Sequence, residues 1–281
     1  MRIKFWGTRG SIPTPGAATL KYGGNTSCVE VRASDNTLII LDAGSGLREL
    51  GKSLLTSSNG PIEGHILISH THWDHIQGFP FFTPAFIPGN RFTLYGSRNL
   101  DKSLEGALAG QMEHAYFPVR LDQLASTIRF KELDEGIMPI GPANVTHYHT
   151  NHPSVCLAYR VDCDGRSVVY ATDNEPVDDN LNDEHEQGFV KFAEGADLLI
   201  HDAMYSFEEY QKKHGWGHSY LEYTVRLAQA ANIKRLALFH HDPEHDDGVI
   251  RSFEEICREY VRMSESDLEV FSSMEGAEII L

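Results

Sequence analysis

Between residues 70 and 75 the chain reads His70-Thr71-His72-Trp73-Asp74-His75, directly after the apolar run Ile66-Leu67-Ile68. Three imidazoles and a carboxylate this close together are a metal-ligand set, and the mixture of nitrogen and oxygen donors suits Zn²⁺, Mn²⁺ or Fe²⁺. On extended backbone His70 and His72 face one side, while Asp74 and His75, in a following turn, face a neighbouring point. A helix through all four would scatter them; a loop leaving a rigid strand can divide them between two adjacent ions. Further candidates stand just past apolar runs: His152, Asp173 and His240. His147 and His149 compete with His152, and His241 competes with His240; spacing alone does not choose among them.

The elements that must position these groups read as short strands alternating with turns and a few helices. Arg2–Trp6, Cys28–Arg32, Thr37–Leu41, His65–Ser69 and Phe92–Tyr95 form a first set of strands. Ala143–His149, Val155–Val161, Ser167–Ala171, Leu198–His201 and Arg235–Phe239 form a second, and Ala277–Leu281 closes the chain. His65–Ser69 is almost continuously apolar, as expected for a strand covered on both faces. A helix is expected around Leu100–Ala109, before the aromatic-rich His114-Ala115-Tyr116-Phe117-Pro118. Ser219–Glu222 and Ser252–Glu255 have the form of capping boxes. The second leads into Ile256, Tyr260 and Met263, and Gly195 ends a helix over residues 189–194. Two sheets with helices outside, in a single domain spanning 1–281, is the expected α/β architecture. The site would lie in loops at one end of the strands.

Composition narrows the substrates. Lys plus Arg is 24 and Asp plus Glu is 40, a net charge of −16, and no basic run exceeds Lys212-Lys213. Such a surface disfavours a long polyanion and leaves a small anion, drawn to bound metal, as the easier substrate. The four cysteines include no CxxC pair and read as buried free thiols. No signal-peptide core and no membrane-length apolar run is present, so a cytoplasmic protein is expected.

His70-Thr71-His72-Trp73-Asp74-His75 resembles the HxHxDH signature of the metallo-β-lactamase superfamily. Later segments, in order, are similar to its ribonuclease Z-like phosphodiesterase branch: Leu41-Asp42-Ala43-Gly44, His152-Pro153-Ser154, Thr172-Asp173, Leu199-Ile200-His201-Asp202-Ala203-Met204, Gly217-His218-Ser219, and His240 in Leu238-Phe239-His240-His241-Asp242-Pro243. The resemblance implies a four-layer αββα sandwich and a homodimer. It implies that His70, His72 and His152 bind one metal, that Asp74, His75 and His240 bind the other, and that Asp173 bridges them. His149, His201 and His241 are then supporting residues. The family has Glu where this chain has Asp202, which shortens the reach towards His218 by one methylene. No insertion like the Gly/Pro-rich tRNA-gripping arm of ribonuclease Z is evident.

Two ions roughly 3.5–4 Å apart can hold a hydroxide between them and stabilise an in-line displacement at phosphorus. The resemblance gives His218 the place of the general acid and Asp202 the task of orienting it, with Asp74 contributing from the metal side. Asp42 either supports the ligand-bearing loops by hydrogen bonding or is a plain turn former. Phe5–Ser11 and Gly23–Ser27 either line the pocket or shape turns. Arg9 either meets a phosphate or forms a surface ion pair. Tyr116 and Phe117 either stack on a base or pack. The expected activity is hydrolysis of a small, cyclic nucleotide phosphodiester with two divalent ions, Zn²⁺ first, then Mn²⁺ or Fe²⁺. The alternative is a tRNA 3′-processing endonuclease, and behind it a thioesterase or lactonase.

Overall fold

The computed structural model describes residues 1–97, 102–133 and 136–281. The first half supplies β1 (Arg2–Gly7), β2 (Cys28–Arg32), β3 (Leu38–Leu41), β4 (Glu63–Leu67), β5 (Arg91–Ser97) and β6 (Thr127–Leu133). The second supplies β7 (Met138–Ile140), β8 (Ala143–His149), β9 (Leu157–Cys163), β10 (Arg166–Ala171), β11 (Leu198–Asp202), β12 (Arg235–Phe239), β13 (Glu269–Ser272) and β14 (Glu278–Ile280). The strands form two seven-stranded sheets, in the orders β14-β1-β2-β3-β4-β5-β6 and β13-β12-β11-β10-β9-β8-β7. Each sheet has three antiparallel pairs at one side and three parallel pairs at the other.

Both sheets are apolar on both faces, so they stack and are covered outside. Ile39 and Leu41 of β3 meet Leu198, Ile200 and Phe239 between the sheets. Leu38 and Ile40, one residue out of phase, pack outwards on Leu47, Leu50 and Leu54 of α1 (Gly46–Ser57). The second sheet is covered by α4 (Glu184–Ala193), α6 (Leu221–Ala230) and α7 (Asp247–Met263), through Phe189, Val225 and Cys257. The remaining helices are the single turn α2 (Trp73–Ile76), α3 (Leu104–Gln111) and α5 (Phe207–Lys213). The order of layers is helix, sheet, sheet, helix, an αββα arrangement.

Several local expectations are corrected. The strand expected at His65–Ser69 ends at Leu67, because the Ser69 amide donates to the Asp42 side chain at 2.7 Å instead of a ladder. The strand expected at Val155–Val161 runs Leu157–Cys163. The helix expected around Leu100–Ala109 is α3, Leu104–Gln111; Leu100 lies outside the described residues. Ser219 caps nothing: its hydroxyl donates to the Asn174 carbonyl and its amide to Asp202. Ser252 lies inside α7, which begins earlier under Asp246, whose carboxylate accepts from the Gly248 and Val249 amides. That start rotates the buried stripe to Ile250, Cys257 and Val261, and leaves Ile256, Tyr260 and Met263 exposed. The reciprocal capping box among the described residues with a Ser N-cap is Ser206–Glu209, on α5. Gly195 does follow α4, at φ 66°, and all four cysteines are free and buried.

Replacing Ser206 by Ala removes that cap and is expected to lower unfolding stability by about 1 kcal/mol. Ser252→Ala stays within about 0.5 kcal/mol. Urea denaturation of the two variants beside the parent checks both; a larger loss at Ser252 contradicts the assigned start of α7.

Candidate metal centre

Ligand-type side chains converge where the strands end. The chain leaves β4 extended through His70 and His72, then turns once as α2, which carries Asp74 and His75 inward and Trp73 outward. So Asp74 and His75 lie on a one-turn helix and not in an irregular turn. His152 follows β8, Asp173 follows β10 and His240 follows β12. Asp42, Asp173 and His240 have φ of 61°, 52° and 61°. Such values are uncommon for non-glycine residues and persist where the surroundings hold them.

The groups form two clusters that share Asp173. His70, His72, His152 and Asp173 have potential donor atoms within 4.8 Å of one another, as do Asp74, His75 and His240. Asp173 turns Oδ1 towards His70 Nε2 (3.7 Å) and His152 Nε2 (4.0 Å). Its Oδ2 lies 3.2 Å from His75 Nε2 and 3.3 Å from His240 Nε2. Asp74 Oδ2 is 3.1 Å from both of those nitrogens.

Hydrogen bonds behind the rings decide which nitrogen faces the cluster. Asp42 accepts from the Ser69 amide (2.7 Å), the Ser69 hydroxyl (2.8 Å), the Tyr170 hydroxyl (2.7 Å) and His75 Nδ1 (2.7 Å). With its proton given to Asp42, Ser69 Oγ accepts from His70 Nδ1 at 3.1 Å. His152 Nδ1 donates to the Gly217 carbonyl at 3.2 Å. These bonds turn the Nε2 of His70, His75 and His152 towards the cluster. His70 Nε2 and His75 Nε2 are buried with no hydrogen-bond partner among the described residues. Burial pushes Asp74 and Asp173 up, but the imidazoles of His75 and His240 outweigh it and hold both well below the usual carboxylate range. Burial pushes His75 down, yet Asp74, Asp173 and Asp42 raise it well above the ordinary value. A set of buried carboxylates that holds a proton so firmly, beside lone pairs aimed at one place, fits divalent cations.

His218 stands beside this centre. Its Nδ1 donates to Asp202 Oδ2 at 2.7 Å and lies 3.8 Å from Asp173. The shorter Asp202 therefore still reaches it. Asp202 also accepts the Met204 and Ser219 amides, at 3.0 and 3.2 Å. Burial pushes His218 down, and Asp202 more than reverses this, lifting it to about 9; cations held nearby oppose the rise. The ring borders a cavity of about 430 Å³ together with Ser11, Thr71, His72, Trp73, Asp74 and Asp173.

The competing histidines lie apart from the two clusters. His149 is exposed on β8, its carbonyl accepting from His185, and His147 packs edge-on to it. His241 is turned away, with Nε2 donating to the Ser273 carbonyl, and burial holds it down to about 3. His201 lies buried against the Asp202 carbonyl. Arg9 neither meets the pocket nor pairs at the surface: it is fully buried and donates to the carbonyls of Gly23, Asp242 and His245.

The segment Phe5–Ser11, expected either to line the pocket or to shape turns, reaches the site at Ser11, whose amide donates to Asp74 Oδ2 at 2.7 Å, and at Gly10, where a Cβ would collide with the His240 ring. Sequence reasoning missed Glu175. That buried carboxylate accepts the amides of Gly215 (2.6 Å) and Gly217 (2.7 Å), and so fixes the loop carrying His218. The signal was the polar run Thr172-Asp173-Asn174-Glu175 directly after an apolar strand.

Asp42→Asn keeps a side chain that tolerates positive φ but turns an NH₂ towards donors. Metal affinity is expected to fall roughly 10–100-fold, read by competition with a chromogenic chelator. Gly10→Ala displaces His240 and is expected to lower metal stoichiometry by mass spectrometry while circular dichroism is unchanged. Unaltered binding in both variants contradicts the geometry given for Asp42 and His240.

Known proteins were compared against this fold and site. The model of the beta-lactamase superfamily domain family matches residues 37–241. A ribonuclease Z from Thermoplasma acidophilum is 25% identical, with 88% of each chain covered. The metallo-beta-lactamase fold protein YhfI from Bacillus subtilis superimposes with a TM-score of 0.71 at 20% identity, over 99% of this chain and 98% of that one. A diphosphatase from the PhnP family superimposes with a TM-score of 0.68 at 17% identity, over 100% and 97%. The matched span runs from β3 to the residue after His240 and holds both clusters, and the chain belongs to the metallo-β-lactamase superfamily, in its ribonuclease Z-like branch, as a metal-dependent hydrolase.

Proposed function

We propose that the chain is a dinuclear phosphodiesterase that hydrolyses a small, cyclic nucleotide phosphodiester. The observation that carries the reading is the 2.7 Å His218–Asp202 contact at the edge of the ligand clusters. In this reading His70, His72 and His152 hold one divalent ion and Asp74, His75 and His240 the other, with Asp173 between them. Bound there, the ions supply a nucleophile at neutral pH and countercharge for the phosphoryl oxygens. Zn²⁺ is the proposed native ion; a set of imidazole and carboxylate without thiolate also suits Mn²⁺ and Fe²⁺.

The chain's own residues do the rest. Asp202 takes the Nδ1 proton of His218 as a hydrogen bond and stabilises the imidazolium, leaving Nε2–H free to face the cavity. An alkoxide leaving group needs a proton as its bond to phosphorus breaks, and Nε2 delivers it. Hydrolysis of an activated acyl ester has less need of such an acid. Glu175 holds the Gly215–Gly217 loop, and the Gly217 carbonyl in turn orients His152, so one segment sets the acid and a metal-side ring together. A cavity of about 430 Å³ is of the size that encloses a small ligand.

Charge supports the small substrate: the net charge is −16, and the residues lining the catalytic cavity include no Lys or Arg. The second reading, a tRNA 3′-processing endonuclease, is favoured by the relatives named ribonuclease Z. A homodimer is proposed by family likeness, and a cytoplasmic location from the sequence reading; among the described residues no helix is long and apolar enough to cross a membrane.

The test is turnover of 3′,5′-cyclic AMP, 3′,5′-cyclic GMP, bis(p-nitrophenyl) phosphate and a 3′-extended tRNA precursor by Zn²⁺- or Mn²⁺-loaded protein and by His218→Ala. Loss of the acid is expected to cost about 10²–10⁴-fold on the cyclic nucleotides, and less than about tenfold on the nitrophenyl ester, whose phenolate leaves unprotonated. Cleavage of the tRNA alone transfers the reading to RNA. Equal losses on both esters remove His218 from the role of acid.

A further inference from the structure

Beyond the metal cavity the surface opens into a second, larger cleft of about 850 Å³. The two share Thr71 and Trp73 in their walls, so the cleft adjoins the catalytic cavity. Its walls come from separate parts of the chain. Trp73 stands on α2 between His72 and Asp74. Phe81 lies just after α2, and Tyr116 and Phe117 lie after α3. Burying large aromatic surface is favourable, yet Trp73 is 76% exposed, Phe81 56% and Tyr116 78%. The Phe117 ring meets Phe81 edge-on, with centroids 5.3 Å apart, which fixes one wall. The Tyr116 and Phe117 amides both donate to the Glu113 carbonyl, which fixes the turn that carries the other. The Gln77 side chain is anchored on Thr26 Oγ1 at 2.9 Å, and it ties the end of α2 to the body of the protein.

We propose that this cleft is a ring-binding subsite that takes the base of the nucleotide whose phosphodiester is cut at the metal centre. The inference rests on the phosphodiesterase reading above and names what that site selects. Three facts carry it: the cleft borders the catalytic cavity across Thr71 and Trp73, its aromatic faces are held but uncovered, and its volume lies within the range of small-ligand pockets. Trp73 follows a residue of one cluster and precedes a residue of the other, so a ring stacked on it lies next to the phosphoryl position. Stacking uses the π-face that every base has, so the subsite separates nucleosides from simple alcohols more strongly than one base from another.

The test uses two esters with the same leaving group, thymidine 5′-(p-nitrophenyl phosphate) and methyl p-nitrophenyl phosphate, with the Mn²⁺-loaded full chain. The parent is expected to prefer the nucleoside ester in kcat/KM by on the order of tenfold or more. Tyr116→Ala and Phe81→Ala are expected to remove most of that preference through KM, and to leave the methyl ester within about twofold. Thymidine monophosphate binding, followed by tryptophan fluorescence, gives a readout independent of turnover. Equal rates on both esters, indifferent to both substitutions, overturn the subsite and leave the phosphodiesterase reading standing. Hydrolysis of neither ester, with monophosphate binding that Tyr116→Ala abolishes, overturns the phosphodiesterase reading and with it the assignment of the cleft to a cleaved nucleotide, leaving a nucleotide-binding cleft alone. Neither hydrolysis nor binding overturns both. A dimer that dissociates on Phe81→Ala, with nucleoside preference unchanged, gives the aromatic surface to a second copy of the chain and overturns the subsite.

Discussion

The carboxylate of Asp42 is fully buried, and burying an ion without partners costs far more than one domain's stability can bear. The fold satisfies it with four donors, and their origins explain the site. The Ser69 amide and hydroxyl come from the segment leaving β4, and His75 comes from α2, both attached to the first sheet. The Tyr170 hydroxyl comes from β10 of the second sheet. One side chain thus fixes the ring of His75, sets the proton on Ser69 that orients His70, and locks the two sheets in register where the ligand groups meet. A plain turn former would not need to be buried, and an Asp that only turned the chain would not order two metal-facing imidazoles.

The same logic runs through the second sheet. The segment Thr172–Glu175 follows β10 and supplies Asp173 to both clusters. The Asn174 side chain accepts the Asn151 amide, the Asn174 carbonyl accepts the Ser219 hydroxyl, and the Glu175 carboxylate accepts the Gly215 and Gly217 amides. Four successive residues thereby connect the bridging carboxylate, the loop of His152 and the loop of His218. Gly217 has φ 90°, and a side chain there would strike the His152 ring, so glycine is required twice over. Metal geometry and acid geometry are one problem in this protein, solved by one short segment.

What the sequence made legible followed from locality. His70 to His75 are close along the chain, and His152, Asp173 and His240 follow apolar strands, so strand ends pointed to them. The resemblance, not spacing, separated His152 from His147 and His149. Glu175 and Tyr170 were invisible because each acts across a tertiary approach that no local pattern encodes, and for Gly10 and Ser11 the glycine-rich pattern left pocket and turn undecided. Helix α1 was missed because it contains Gly46 and Gly51, poor helix formers. At Gly51 the ring of Phe82 and Pro84 pack so closely that a Cβ would lie 3.0 Å from both, and tertiary packing overrides propensity. The pattern at Ser252–Glu255 misled because capping boxes recur by chance inside helices; Asp246, not Ser252, has its side chain free at the start. Strand β6 was missed because its exposure is mixed along its length at the sheet edge, which blurs the alternation that marks a half-buried strand.

The charge of the molecule and the charge of its site act in opposite senses, and the contrast decides what can approach. A net charge of −16 repels an extended polyanion over its whole length, whereas on the proposed reading a small phosphodiester would meet that field only briefly before cations held at the centre dominated. The carboxylate of Asp42 is answered by its four donors, while Asp74 and Asp173, though buried, border the cavity, where bound cations would answer their charge. The wall that continues from the cavity is aromatic at Trp73, Phe81 and Tyr116. An aromatic wall gains from covering a planar ring, and beside it, among the described residues, the cleft carries one cation, Lys102, with the opposing carboxylate of Glu113, where a phosphate backbone needs cations along its track. On the proposed reading a substrate with one phosphodiester and one ring would use both features at once, whereas a tRNA end would use the first and would bring the rest of its charge against the acidic surface.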